Sequence, residues 1–242
     1  MPRSRRLVVP GLPLHITHRG VDRGPTFLAP EDYAYYWWAL REGATAAGCA
    51  VHAYVLMTNH VHLLLTPDAV ESPATLTRSL GRRYVRYFND RYRRTGTLWE
   101  GRYRSTIVGD TAYFFACSRY IELNPVRAKL VDDPAQYSWS SYRHNALGIP
   151  DAIVTPRAEY VTLGPDPSSR RTAYRELFRA APQVTELASI RADVRGRPKL
   201  NPSSYRQTLA MAGGEDASGA TPPASPAIPA SVFSALARSV TT

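Results

Sequence analysis

Residues 50–65 read AVHAYVLMTNHVHLLL, two apolar runs separated by Thr58-Asn59. Each run is short, β-branched or aromatic in part, and bounded by a two-residue turn signal, so the pattern predicts strands over Ala50–Met57 and His60–Leu65 joined as a tight hairpin. The second run opens with His60 and His62. Side chains alternate along a strand, so residues i and i+2 share a face roughly 6 to 7 Å apart. Two imidazoles at that separation can converge on one metal ion, or stand there for structural reasons alone.

Further elements line up around the hairpin. Leu14–Arg19 (LHITHR) alternates as a strand should. Glu31–Ala47 carries Tyr33, Tyr36, Trp37, Leu40 and Ala44 at helical spacing, with Gly48 as its stop. A second helix is predicted from Ser72 as N-cap and Pro73 in the first turn, with Gly96 beyond its end. A loop or short strand follows through Trp99–Val108, then a third helix from about Asp110 to Leu123 that Pro125 closes or restarts. The order strand-helix-strand-strand-helix predicts an α+β fold, a ferredoxin-like (RRM-like) antiparallel sheet with helices on one face. We expect a first domain over residues 1–148 and a helical extension over 149–212 with short helices near 170–180 and 184–194. A disordered tail is expected over 213–242, which is Ala-, Ser- and Pro-rich.

The 242 residues carry 30 Lys+Arg against 20 Asp+Glu, a formal charge of +10, and only Lys129 and Lys199 are lysines. Genomic base composition accounts for part of the preference for arginine, but not for the positive excess, which points to a polyanionic partner. Arg78, Arg82, Arg83, Arg86, Arg91, Arg93, Arg94, Arg102 and Arg104 crowd one stretch in which Asp90 and Glu100 are the acids. A solvated helical face usually mixes signs, so this one reads as a surface that tracks phosphates. Trp99 and Tyr103 lie within it, as base-stacking rings or as core. Cys49 and Cys117 form no CxxC pair and read as reduced thiols. No apolar run is long enough to span a bilayer, and the basic N-terminus lacks a signal-length apolar core. The expected location is the cytoplasm.

In the third helix, R-Y-I-E-L-N-P (residues 119–125) puts Tyr120 and Asn124 four apart, one above the other on a helical face. A phenol and an amide so stacked could serve as nucleophile and metal ligand. Fifteen tyrosines leave other nucleophiles open. Tyr84 and Tyr87 are rivals, although with Leu76, Leu80 and Phe88 they form a stripe that suits core packing. His15, His18 and His52 lack a matched partner and read as structural or DNA-facing. Arg195-Gly-Arg-Pro198 has the form of a minor-groove hook.

HITHRG, AYVLMTNHVHLLL, RRYVRYFNDRYRRTGTLWEGRYRS, RYIELNPVRAKLV and YSWSSY, in this order across residues 8–145, resemble the REP-associated tyrosine transposases, the IS200-like single-tyrosine branch of the HUH endonucleases. The resemblance implies divalent-metal-dependent cleavage and rejoining of single-stranded DNA beside repetitive palindromic hairpins. It makes His60, His62 and Asn124 ligands to Mg²⁺ or Mn²⁺ and Tyr120 the nucleophile. The wider group carries Gln where this chain has Asn124, and both offer an amide oxygen. DNA contacts are expected from Arg19, Arg82, Arg83, Arg86, Arg102, Arg104 and Arg127. The partner is a single-stranded DNA hairpin, with no membrane, and the chain acts as monomer or homodimer. The alternatives are a domesticated, non-catalytic nucleic-acid-binding protein and a replication initiator or relaxase using the same histidine pair.

Overall fold

The computed structural model describes residues 6–179 together with Ile190. The arginine hook at 195–198, the helix expected at 184–194 apart from the helical Ile190, and the tail from 213 lie outside the described residues.

The sheet has four strands: β1 (Leu14–Arg19), β2 (Cys49–Met57), β3 (His60–Pro67) and β4 (Arg104–Ile107). They lie side by side in the order β2-β3-β1-β4, every neighbouring pair antiparallel. With α1 (Pro30–Ala46) between β1 and β2, and α2 (Ser72–Tyr92) between β3 and β4, this is the ferredoxin-like arrangement. Placing β1 in the middle lets both crossing helices pack on one face. That face is built by Ile16, Val61 and Leu63, which meet Tyr36, Leu80 and Trp99.

The local causes are readable. Asp32 in the first turn of α1 accepts hydrogen bonds from the backbone amides of Leu28 (2.8 Å) and Ala29 (3.0 Å), satisfying donors that a helix start leaves open. At the other end Gly48 takes φ +61°, and a Cβ there would press on the Asp68 carboxylate, so glycine ends the helix. Within α1 the buried tryptophan is Trp38, whereas Trp37 is half-buried and donates to the Tyr54 hydroxyl (3.1 Å). The expected stripe shifts because α1 is wedged against α2 as well as the sheet. Helix α2 ends at Tyr92, earlier than Gly96 suggested, since Arg93 itself takes the left-handed cap at φ 51°.

The third helix, α3 (Thr111–Glu122), starts at Asp110, whose side chain accepts from the Tyr113 amide at 2.8 Å. It covers the other face of the sheet: Phe114, Cys117, Tyr120 and Ile121 pack on Ala53, Val55, Met57 and Leu64. Leu123 breaks the helical run and Pro125 restarts it as α4 (Asn124–Arg127). Up to Arg179 the described residues add α5 (Tyr142–Leu147), α6 (Ala158–Val161) and α7 (Pro167–Arg179). Tyr174 of α7 is buried against Tyr142 and Ala146 of α5. Cys49 and Cys117 are both buried and unbridged. Among the described residues no helix is long and apolar enough to cross a membrane.

Candidate active site

Antiparallel register decides what stands beside the histidine pair. Residues directly opposite each other share a face. His60 is flanked by Met57 on β2 and Arg19 on β1, and His62 by Val55 and Thr17. Leu64 is flanked by Ala53 and His15, and Thr17 in turn faces Arg104 of β4. His15, Thr17, Arg19, His60, His62 and Arg104 therefore line the face that α3 covers.

The two rings of the pair meet at right angles, centroids 5.0 Å apart. Tyr120 presents its ring edge-on to His62 at 5.7 Å and to His15 at 6.1 Å. Over the phenol sits Arg127, its guanidinium carbon 4.1 Å from the ring centroid, held by a 2.6 Å hydrogen bond to the Tyr120 carbonyl. Asn124 stands one turn beyond Tyr120, and its side-chain nitrogen is buried with no hydrogen-bond partner among the described residues.

Hydrogen bonds orient the pair. Asn59 donates from Nδ2 to the Arg23 carbonyl (2.8 Å), so its Oδ1, 2.7 Å from His60 Nδ1, is an acceptor. His60 must then carry its proton on Nδ1 and keep the Nε2 lone pair for a ligand. The loop that receives Asn59 bends tightly: Asp22 and Arg23 take φ 52° and 58°, and a Cβ at Gly20 would collide with the Gly24 carbonyl. His62 Nδ1 lies 2.9 Å from His15 Nε2 and 3.2 Å from Thr17 Oγ1. Burial pushes His15 and His60 down to about 4 and His62 further below its usual value, the Arg19 and Arg127 charges adding to the effect on the pair. All three rings are neutral at pH 7, the state a metal requires.

The residues fit a divalent cation with open positions. Two neutral imidazoles on one face, too few for a closed zinc site, suit Mg²⁺ or Mn²⁺ with the remaining positions open. Among the described residues no three or more His, Cys, Asp or Glu side chains converge as a metal cage.

The remaining candidates are distributed over two faces. Arg82 and Arg86 are exposed on α2, over the face opposite the histidines, and Arg86 makes a 3.8 Å ion pair with Asp90 in open solvent. Arg83 is half-buried, its guanidinium 5.8 Å from the Trp38 ring. Arg102 and Arg104 are exposed. Tyr84 is fully buried and donates to the Thr26 carbonyl (2.6 Å), while Tyr87 stacks on Tyr35 at 4.0 Å and donates to Asp32 (3.1 Å). Both rivals to Tyr120 are thus engaged in packing α2. Trp99 and Tyr103 are core residues, and Trp99 stacks on His18 at 4.3 Å. His52 bridges the Thr155 carbonyl and the Thr66 hydroxyl.

In sequence His15 has no matched partner and Asn59 reads only as a turn residue, while Thr17 and Glu122 carry no signal of their own. The period-2 spacing of His15 and Thr17 was visible, but their place beside His62 follows from register alone.

Residues 9–124 match the model of the family described as transposase IS200 like. No curated protein matches the chain. A solved structure of a REP-associated tyrosine transposase bound to a REP hairpin superposes with a TM-score of 0.54 at 17% identity, covering 65% of this chain and 93% of that one. A transposase candidate from Deinococcus radiodurans is 27% identical over 44% of this chain and 85% of its own, with a TM-score of 0.35. The histidine–tyrosine face thus lies inside the segment, residues 9–124, that matches the IS200-like transposase model.

Proposed function

We propose that this chain cuts and rejoins single-stranded DNA beside a hairpin, as the REP-associated branch of its family would, with Tyr120 as nucleophile and His60, His62 and Asn124 as metal ligands. The observation that carries this reading is the Tyr120 ring, edge-on to His62 at 5.7 Å and capped by Arg127 at 4.1 Å. Mg²⁺ or Mn²⁺ bound there would withdraw charge from the scissile phosphate as the transition state forms, worth several kcal/mol.

The side chains supply the rest. Arg127 and Arg19 bring positive charge to the phosphate's approach, and α3 holds the phenol against the sheet so that attack needs no large rearrangement. The Tyr120 oxygen forms a bond to phosphorus and its proton leaves to solvent. The P–O3′ bond breaks, and the departing 3′ oxygen takes up a proton. A 5′-phosphotyrosine and a 3′-hydroxyl result. Attack by a 3′-hydroxyl on the phosphotyrosine reverses the step without ATP. Arg104 lies on the same face as the pair and serves the strand being cut. Arg82, Arg83 and Arg86 belong to a helix over the other face and serve DNA away from the cut. A cytoplasmic location suits the reduced Cys49 and Cys117.

A labelled hairpin oligonucleotide from the DNA flanking the gene, incubated with Mn²⁺ and run on a denaturing gel, tests the reading. A covalent protein–DNA band is expected for the wild type and absent for Tyr120→Phe and His62→Ala. Tight binding with neither adduct nor cleavage under any divalent metal would make the chain a binding protein and overturn it.

A further inference from the structure

His15 is the third ring of the cluster, buried at 3% exposure on the middle strand. Its ring meets that of His62 nearly in plane, centroids 5.1 Å apart and planes at 26°, and its Nε2 lies 2.9 Å from His62 Nδ1. Only one of the two nitrogens can carry the shared proton. If His15 donates, the proton of His62 sits on Nε2 and that nitrogen binds no metal. If His62 donates, its Nε2 keeps a lone pair, as the Asn59 contact leaves one on Nε2 of His60. Thr17 Oγ1, 3.2 Å from the same Nδ1, can accept the same hydrogen.

Resting on the metal reading above, we infer that His15 is a positioning residue: it accepts the Nδ1 hydrogen of His62, and so selects the His62 tautomer and ring orientation that bind the ion. Partners of this kind raise ligand basicity and hold the ring still, and their loss weakens metal affinity by roughly 10- to 100-fold. The arrangement also explains a buried histidine that neither faces solvent nor joins the pair.

Two measurements on the full chain test it. Nitrogen-15 long-range correlation spectra of the histidine rings report the wild-type tautomer directly and need no variant. Nδ1–H on His62 is expected, and Nε2–H would overturn the inference. Titration of free Mn²⁺ by electron paramagnetic resonance then compares wild type, His60→Ala, His15→Phe and His15→Gln, with circular dichroism checking that each folds. Phe fills the slot without nitrogen, whereas Gln restores an acceptor. We expect His15→Phe to weaken Mn²⁺ binding by roughly 10- to 100-fold, with His15→Gln recovering most of it. If His60→Ala abolishes binding while His15→Phe binds like wild type, the positioning role fails and the metal site stands. If wild type binds no Mn²⁺, or His60→Ala binds unchanged, the metal site fails and this inference falls with it.

Discussion

Replacing Glu122 by Gln should make the protein less sensitive to rising pH, by an amount set by one buried carboxyl. Glu122 ends α3 with no exposed surface and accepts from Ser141 Oγ (2.5 Å), Asn145 Nδ2 (2.9 Å) and Tyr174 Oη (2.9 Å). It thereby ties the helix carrying Tyr120 to α5 and α7. The three donors favour the carboxylate, yet burial outweighs them and pushes the group from 4.5 up to about 7. Between those values the folded chain holds a proton that the unfolded chain has released. This contribution is full below pH 4.5, falls as pH rises, and is lost above 7. The gap corresponds to about 3 kcal/mol at 1.36 kcal/mol per pH unit. Gln has the same shape and no titration, so it lacks this loss. Urea unfolding followed by tryptophan fluorescence at pH 5, 6, 7 and 8 should show Glu122→Gln gaining on the wild type by about 2.5 kcal/mol across the series, part of the loss having already occurred at pH 5. Parallel curves, or a wild type that gains stability relative to Gln with pH, would mean that the three donors hold the carboxylate ionised and would refute the reasoning.

Three further outcomes are expected. Tyr174→Phe removes one donor from the buried Glu122 oxygen, and should cost about 1 to 3 kcal/mol in urea unfolding at pH 8. Asp32→Ala leaves two amides of the α1 start and the hydroxyls of Tyr87 and Tyr92 without their acceptor, so a loss of about 3 kcal/mol or more and a matching fall in melting temperature are expected. Arg104→Gln should lower hairpin affinity and reduce the slope of log K against log salt by about 1, measured by fluorescence anisotropy; an unchanged slope would remove it from the phosphate contacts.

Much of this molecule can be read along the chain, because its signals are local. Period-2 patterning located β1 at Leu14–Arg19, and the Thr58-Asn59 turn fixed where the hairpin reverses, since steric and hydrogen-bonding preferences act within a few residues. Asp110 and Gly48 mark helix ends for the same reason. The spacing of His60 and His62 and of Tyr120 and Asn124 was equally visible in sequence. What the chain could not say is which of these meet. Antiparallel register brought His15 and Thr17 to His62, residues 45 or more positions apart joined by backbone pairing. The basic stretch, uniform in sequence, was split between two faces because α2 and β4 pack in different places, leaving Arg104 on the face of the pair, one strand removed, and Arg82 and Arg86 across the sheet. Arg93, in the left-handed conformation, ended α2 where no glycine stands. Glu122 is an ordinary acid in the sequence; only when α5 and α7 close over it do desolvation and three donors make it the residue that ties the Tyr120 helix down.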